Sequence, residues 1–113
     1  MALSNELPVY KATYDLLLAI FRMVKNFSKE YKYTLGENLK KETIDLLVLI
    51  YRANSVREKF DVLQSAREQV EIIRLMIRLI KDLHQINLDK FVFLNQNIEN
   101  VSKQLSGWQK SQN

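Results

Sequence analysis

The sequence predicts an all-α protein folded as an antiparallel up-down four-helix bundle, and three observations carry that expectation. Turn punctuation is nearly absent. The 113 residues contain two glycines, Gly36 and Gly107, and one proline, Pro8, whereas a set of short strands needs clusters of Gly and Pro between them. Aliphatic and aromatic residues make up 47% of the chain, enough for one continuous core and above the range of disordered segments. Those residues recur at spacings of three and four over long stretches, the period of a helix with a buried face. The length fits a single domain spanning residues 1–113.

Four helical segments follow, at about residues 9–27, 34–53, 56–84 and 88–108. In the first, Tyr10, Tyr14, Leu17, Phe21 and Val24 alternate four and three apart. Thr13, Leu16, Ile20, Met23 and Phe27 widen them into an arc of about half the circumference. Lys11, Asp15, Arg22 and Lys25 lie opposite, and Pro8 stands just ahead, where its missing N–H costs nothing.

The second segment begins at Thr34-Leu35-Gly36-Glu37, which reads as a capping box. Leu35, Leu39, Leu46, Ile50 and Ala53 form one face, while Ile44, Val48 and Tyr51 form another roughly opposite. A helix that is apolar on two sides buries both. One side goes into its own bundle, and the other predicts a partner subunit.

A second capping box, Ser55-Val56-Arg57-Glu58, opens the third segment. From Val70 onward, Ile72, Ile73, Met76, Ile77, Leu79, Ile80 and Leu83 cover well over half the circumference. Val56, Phe60 and Leu63 point more than a quarter-turn away. Either this helix bends near Ala66 or its first turns pack on something different.

The fourth segment follows a Gln85-Ile86-Asn87 turn with Asn87 as N-cap. Phe91, Leu94, Ile98, Val101, Leu105 and Trp108 make a narrow seam. Phe93 falls outside it and joins Ile44, Val48 and Tyr51 as a candidate oligomer-interface residue. The longest connector, Ser28 to Tyr33, is charged and aromatic. Short connections between four helices favour the antiparallel bundle.

Catalytic chemistry finds little support. Cysteine is absent, which excludes disulfides and thiolate metal sites. The one histidine, His84, sits at a helix end, where the residue ordinarily caps carbonyls. Two glycines do not supply the strained turn of a serine nucleophile, and no Glu-x-x-His pair marks a di-metal carboxylate bundle. The expectation is a protein with no catalytic residues, no metal and no cofactor. No apolar run reaches the roughly 18 residues needed to span a bilayer, and the first residues lack a basic stretch leading into an apolar one. A cytoplasmic protein without membrane contact is expected.

Charge points more usefully. Lys and Arg outnumber Asp and Glu by 17 to 13, a formal charge of +4, which favours phosphate partners only weakly. Placement sharpens it. Arg67, Arg74, Arg78 and Lys81 fall within about 40° on a helical wheel, and every charge between Glu71 and Asp82 is positive. Such a stripe meets successive phosphates, with Arg suited to bidentate contact. The plain alternative is a solvated outer face. A second cluster comprises Arg22, Lys25, Lys29 and Lys32, with Tyr31 and Tyr33 beside it. Those tyrosines either stack on bases or pack against the bundle.

Several stretches resemble one family of small bacterial helical proteins: Tyr14-Asp15-Leu16-Leu17, Tyr33-Thr34-Leu35-Gly36, the run Ile73 to Leu83, and the ending Leu105-Ser106-Gly107-Trp108-Gln109-Lys110. Their order and spacing resemble the accessory variability determinant (Avd) family of diversity-generating retroelements. Its wider relatives are the four-helix-bundle proteins encoded in intervening sequences of ribosomal RNA genes. The resemblance implies a homopentameric ring with a basic surface that binds RNA or DNA and associates with a reverse transcriptase. It carries nucleic-acid contact onto Arg74 and Arg78. The rival expectation is a structural protein-interaction oligomer of the intervening-sequence type, in which the arginines serve solubility.

Overall fold

The computed structural model describes residues 6–112. Four long helices account for most of them: α1 (Pro8–Val24), α2 (Glu37–Ser55), α3 (Phe60–Asp82) and α4 (Leu88–Lys110). No strand occurs among the described residues. Each helix packs on its neighbours in sequence, and α4 also packs on α1, so the four surround one core. The longest dimension is 43 Å against 21 and 19 Å across, consistent with helices of about 35 Å lying along the long axis. The two ends of the molecule are therefore well separated, which matters for the placement of charge.

The core seam is narrower than the apolar arcs of the sequence. On α1, Val9, Thr13, Leu16, Ile20 and Met23 are buried, with the Thr13 hydroxyl satisfied by the Val9 carbonyl at 2.8 Å. Tyr14 and Phe21, placed in the bundle-facing arc by periodicity, are instead 46% and 39% exposed. On α3 the buried line is Leu63, Ala66, Val70, Ile73, Ile77 and Ile80, while Ile72, Leu75 and Leu79 stay exposed. A helix touching two neighbours buries only the positions between them, and wider apolar flanks are left outside. The helix runs unbroken through Ala66. Leu63 joins the same seam as Val70, and Phe60 remains outside it.

Both expected capping boxes are absent, each for a visible reason. The chain is already helical before Thr34: a turn of α-helix at Lys29–Tyr31 runs into a π-helical turn at Lys32–Gly36. With helix behind it, the Thr34 hydroxyl donates backward to the Glu30 carbonyl at 3.0 Å rather than accepting a forward amide. Ser55 likewise donates back to the Arg52 carbonyl at 3.0 Å and finishes α2. The end of α2 is closed by the Lys59 ammonium, which donates to the Ala53 carbonyl at 2.8 Å and to that of Val56. Helix α3 then starts at Phe60 rather than Val56.

Helix α3 ends in a Schellman arrangement. The Gln85 amide donates to the Ile80 carbonyl and the His84 amide to that of Lys81, with His84 in the left-handed region at φ 60°. Asn87 caps α4 as its sequence position implies, its side chain accepting from the Lys90 amide at 2.8 Å. The α4 seam is Leu94, Ile98, Val101 and Leu105, and its last place is taken by Gln109. Trp108 is only partly buried against the core. Gln109 is 3% exposed, and its amide donates to the Phe60 carbonyl and to Gln64. These bonds tie the end of α4 to the start of α3. A buried amide demands such partners.

Gly36 sits at a tight point of the fold. A Cβ there would lie 2.5 Å from Val24 Cγ1, and Val24 is itself buried. Gly36→Ala gains up to about 1 kcal/mol of helix propensity but overpacks this contact, a cost of about 1–3 kcal/mol. Chemical denaturation of the variant is expected to show a net loss of stability.

Candidate nucleic-acid interface

The cations of α3 project from the flank that faces α4, and each has a neighbour. Arg67 donates to the Gln109 side-chain oxygen, which adds it to the polar cluster tying α3 to α4. Arg74 lies between two carboxylates, 3.3 Å from Glu71 and 2.8 Å from Glu99 on α4. Partial burial works against its charge, but the hydrogen bond it donates to Glu99 and the charge of Glu71 outweigh it and hold the guanidinium above its ordinary pKa. Arg78 pairs with Asp82 at 3.4 Å while remaining well exposed. Lys81 sits 4.8 Å above the Phe91 ring centroid, a cation–π contact that leaves the ammonium able to meet another charge. Arg74, Arg78, Phe91 and Asn95 line one shallow groove along the α3–α4 boundary.

Position along the helix divides this stripe. Arg67 and Lys81 are fourteen residues apart, about 21 Å along the axis. Arg78 and Lys81 occupy the last turns of α3, next to the turn into α4. That turn meets the α1–α2 connector directly, through the Ser28 amide donating to the Gln85 side chain at 2.8 Å. Beside this contact, Arg22, Asn26, Gln85, Asn87 and Lys90 line a common depression. Lys25 follows α1 at once and is exposed. One end of the molecule therefore gathers Arg22, Lys25, Arg78 and Lys81. Lys90, Lys29 and Lys32 lie on segments that meet there.

Acidic residues at this end are fewer. Asp82 is held by Arg78 and Glu37 by Lys40 at 2.9 Å, with Glu30 and Asp89 on the adjoining turns. Along the chain these cations form two separate clusters and Lys90 belongs to neither, because no local pattern relates α4 to the end of α1. Only the folded turns do.

The candidate interface residues separate in the opposite way. Ile44, Val48 and Tyr51 are exposed on α2 and Phe93 on α4, helices that each pack mainly on α1 and α3. The α2 residues have company the sequence assigned to the core. Lys40 stands 4.7 Å over the ring of Phe21, which puts the exposed flank of α1 (Tyr14, Leu18, Phe21) beside that of α2. Ile44, Val48 and Tyr51 thus continue an apolar surface begun on α1. Phe93, with Lys90 5.4 Å from its ring, belongs to another side.

No group of three or more His, Asp or Glu side chains able to hold a metal occurs among the described residues. No helix there is long and apolar enough to cross a membrane.

The engagement of Arg67 with Gln109 makes a stability role measurable. Arg67→Ala is expected to lower unfolding free energy by about 1 kcal/mol, the typical worth of one hydrogen bond. Nucleic-acid retention should fall less than for a cation at the Arg22–Lys81 end. Thermal melts paired with a gel-shift assay check both.

No curated protein matches the chain. A family model described as bAvd-like matches residues 8–112, from the first residue of α1 to beyond the last of α4. All four helices, the Gly36 turn and the basic end fall inside the match, and the chain belongs to the bAvd-like family.

Proposed function

We propose that the protein is a non-enzymatic accessory subunit that binds RNA or DNA, working beside the reverse transcriptase of a diversity-generating retroelement. The observation that carries this reading is the convergence of two basic clusters, distant in sequence, at one end of a rigid bundle. Arg22 and Lys25 come from α1 and its exit, Arg78 and Lys81 from α3, and the Ser28–Gln85 contact joins the turns between them. Cations on rigid elements meet phosphates without a large ordering cost. Shape and charge are the basis of recognition, since no base-reading motif accompanies them. Arg74 contributes from the groove, at the expense of its carboxylate partners. Arg67 lies about two turns into α3, about 21 Å from Lys81, and is left out of the proposed surface.

In this reading the helices alternate up and down around the core, as the short connections and the α1–α4 packing favour. Copies assemble into a ring, a homopentamer as the family resemblance implies, in the cytoplasm. The apolar flank of α1 and α2 on one side and Phe93 on another suit head-to-tail contact, the kind that closes rings. A ring repeats a modest basic surface and converts weak single contacts into avidity where one strand reaches several copies.

Charge reversal tests the binding reading. Arg22→Glu with Arg78→Glu is expected to abolish RNA retention in gel shifts at about 50 mM salt, where phosphate contacts are strongest. Arg57→Glu with Lys110→Glu changes net charge equally elsewhere and should leave most retention in place. Wild-type protein that retains no nucleic acid at that salt would overturn the reading. The structural protein-interaction oligomer then takes its place, a role that the exposed Tyr14, Phe21, Val48 and Tyr51 already favour.

The assembly has its own check. Val48→Asp with Tyr51→Ala removes two large contacts, worth about 2–4 kcal/mol each at the centre of an interface. Sedimentation of the wild type at micromolar concentration is expected to show an oligomer, and the double variant a folded species of lower mass.

A further inference from the structure

The π-helical turn Lys32–Gly36 separates two tyrosines that the sequence leaves equivalent. Tyr31 is half-buried and packs on the core. Tyr33, two residues on, is 65% exposed, among the most exposed large apolar side chains of the molecule. Its exposure does not come from a loose loop. The turn is anchored at one end by Gly36, pressed against Val24 and Phe27, and along its length by the Thr34–Glu30 bond. It continues without a break into α2. Single π-helical turns are uncommon and recur at functional sites.

The cations around Tyr33 stand beside two carboxylates, Glu30 one turn back and Glu37 one turn on, the latter held by Lys40 at 2.9 Å. The Lys32 ammonium lies 5.8 Å from its ring centroid, Lys29 is one helical turn back, and the connector meets the turn that follows Lys81 through Ser28 and Gln85. An exposed aromatic ring on a rigid backbone, beside ammonium groups, is the arrangement that holds a base and its phosphate without reading sequence.

We infer that Tyr33 is a stacking platform for one unpaired base of single-stranded nucleic acid, with Lys32 and Lys29 taking the adjoining phosphates. The inference rests on the nucleic-acid reading above and adds to it a preference for unpaired over duplex segments at this end of the bundle. Tyr31 takes no part, because its ring is committed to the core. The shared chemistry is a base π-face and a phosphodiester, available from RNA and DNA alike.

Fluorescence anisotropy separates this inference from the broader reading. The probes are labelled oligouridylate and oligothymidylate of about 12 nucleotides, within the span of single-strand sites, and a duplex of the same length. Tyr33→Ala is expected to weaken binding of both single strands about five- to hundredfold, the range that loss of one base–aromatic stack brings. Duplex affinity should stay unchanged. Tyr33→Phe should bind as the wild type does. Tyr33→Trp should show emission quenched by the single strands, beyond any change from Trp108 in the parent protein. Weakening for only one of the two strands supports the platform and assigns it to that nucleic acid. Wild-type binding that Tyr33→Ala leaves intact overturns the platform while the basic end stands. A wild type that binds none of the probes overturns both. Because Tyr33 is exposed, its truncation leaves the fold able to report.

Discussion

The close approach of Gly36 to Val24 governs how the chain passes from α1 to α2, and the arrangement of the basic end depends on that passage. A side chain at residue 36 would have to share space with a buried valine. With glycine there, the connector lies flat against the last turn of α1 and coils as a short α-turn followed by a π-turn. That path tucks Tyr31 inward, turns Tyr33 outward and presents the Ser28 amide to Gln85. The connector is helical structure in its own right, and its close fit against α1 leaves no room for a methyl at residue 36.

Electrostatics at the surface are a competition rather than an open positive field. Arg74 is already held by Glu71 and Glu99, and Arg67 by an amide. A phosphate reaching Arg74 displaces a carboxylate and gains less than it would at an unengaged guanidinium. Arg78, more exposed and paired only within its own helix, and Lys81, resting on an aromatic face, yield to a phosphate more readily. Exposed ion pairs of this kind contribute about 0–1 kcal/mol to folding, so their rearrangement costs the fold little. The net charge is only +4, and while exposed cations such as Lys11, Arg52, Arg57, Lys103 and Lys110 are spread over the rest of the surface, Arg22, Lys25, Arg78 and Lys81 share one end of a molecule 43 Å long.

The apolar surface shows the same logic in reverse. A bundle of four helices buries one narrow seam per helix, and this chain carries more apolar residues than those seams accept. The surplus is ordered. On α1 and α2 it forms one surface across Tyr14, Leu18, Phe21, Ile44, Val48 and Tyr51, with Lys40 lying on the Phe21 ring between them. On α3, Ile72, Leu75 and Leu79 stand at helical spacing on the outside. Apolar surface left over in this way is the ground on which the proposed assembly rests.

Much of the architecture was legible in the residues alone. Three-four periodicity located four helices, Asn87 was readable as an N-cap, and the paucity of Gly and Pro excluded a sheet. The family was readable from motifs spread along the chain, and the match over residues 8–112 bears that out. Local pattern failed where a side chain had two uses. Thr34 and Ser55 have the composition of caps, yet each hydroxyl bonds backward because the preceding turn is helical. Tyr14, Phe21, Ile72 and Leu79 have the period of core residues, yet a helical wheel fixes only angles, and which arc is buried depends on where the neighbouring helices lie. Gln109 is polar and sits in the seam because Phe60, Gln64 and Arg67 of another helix satisfy it. The composition of the basic end was therefore a decision of the tertiary structure. Arg22, Lys81 and Lys90 are dozens of residues apart or on different helices, and only the packing of two turns through Ser28 and Gln85 makes them neighbours.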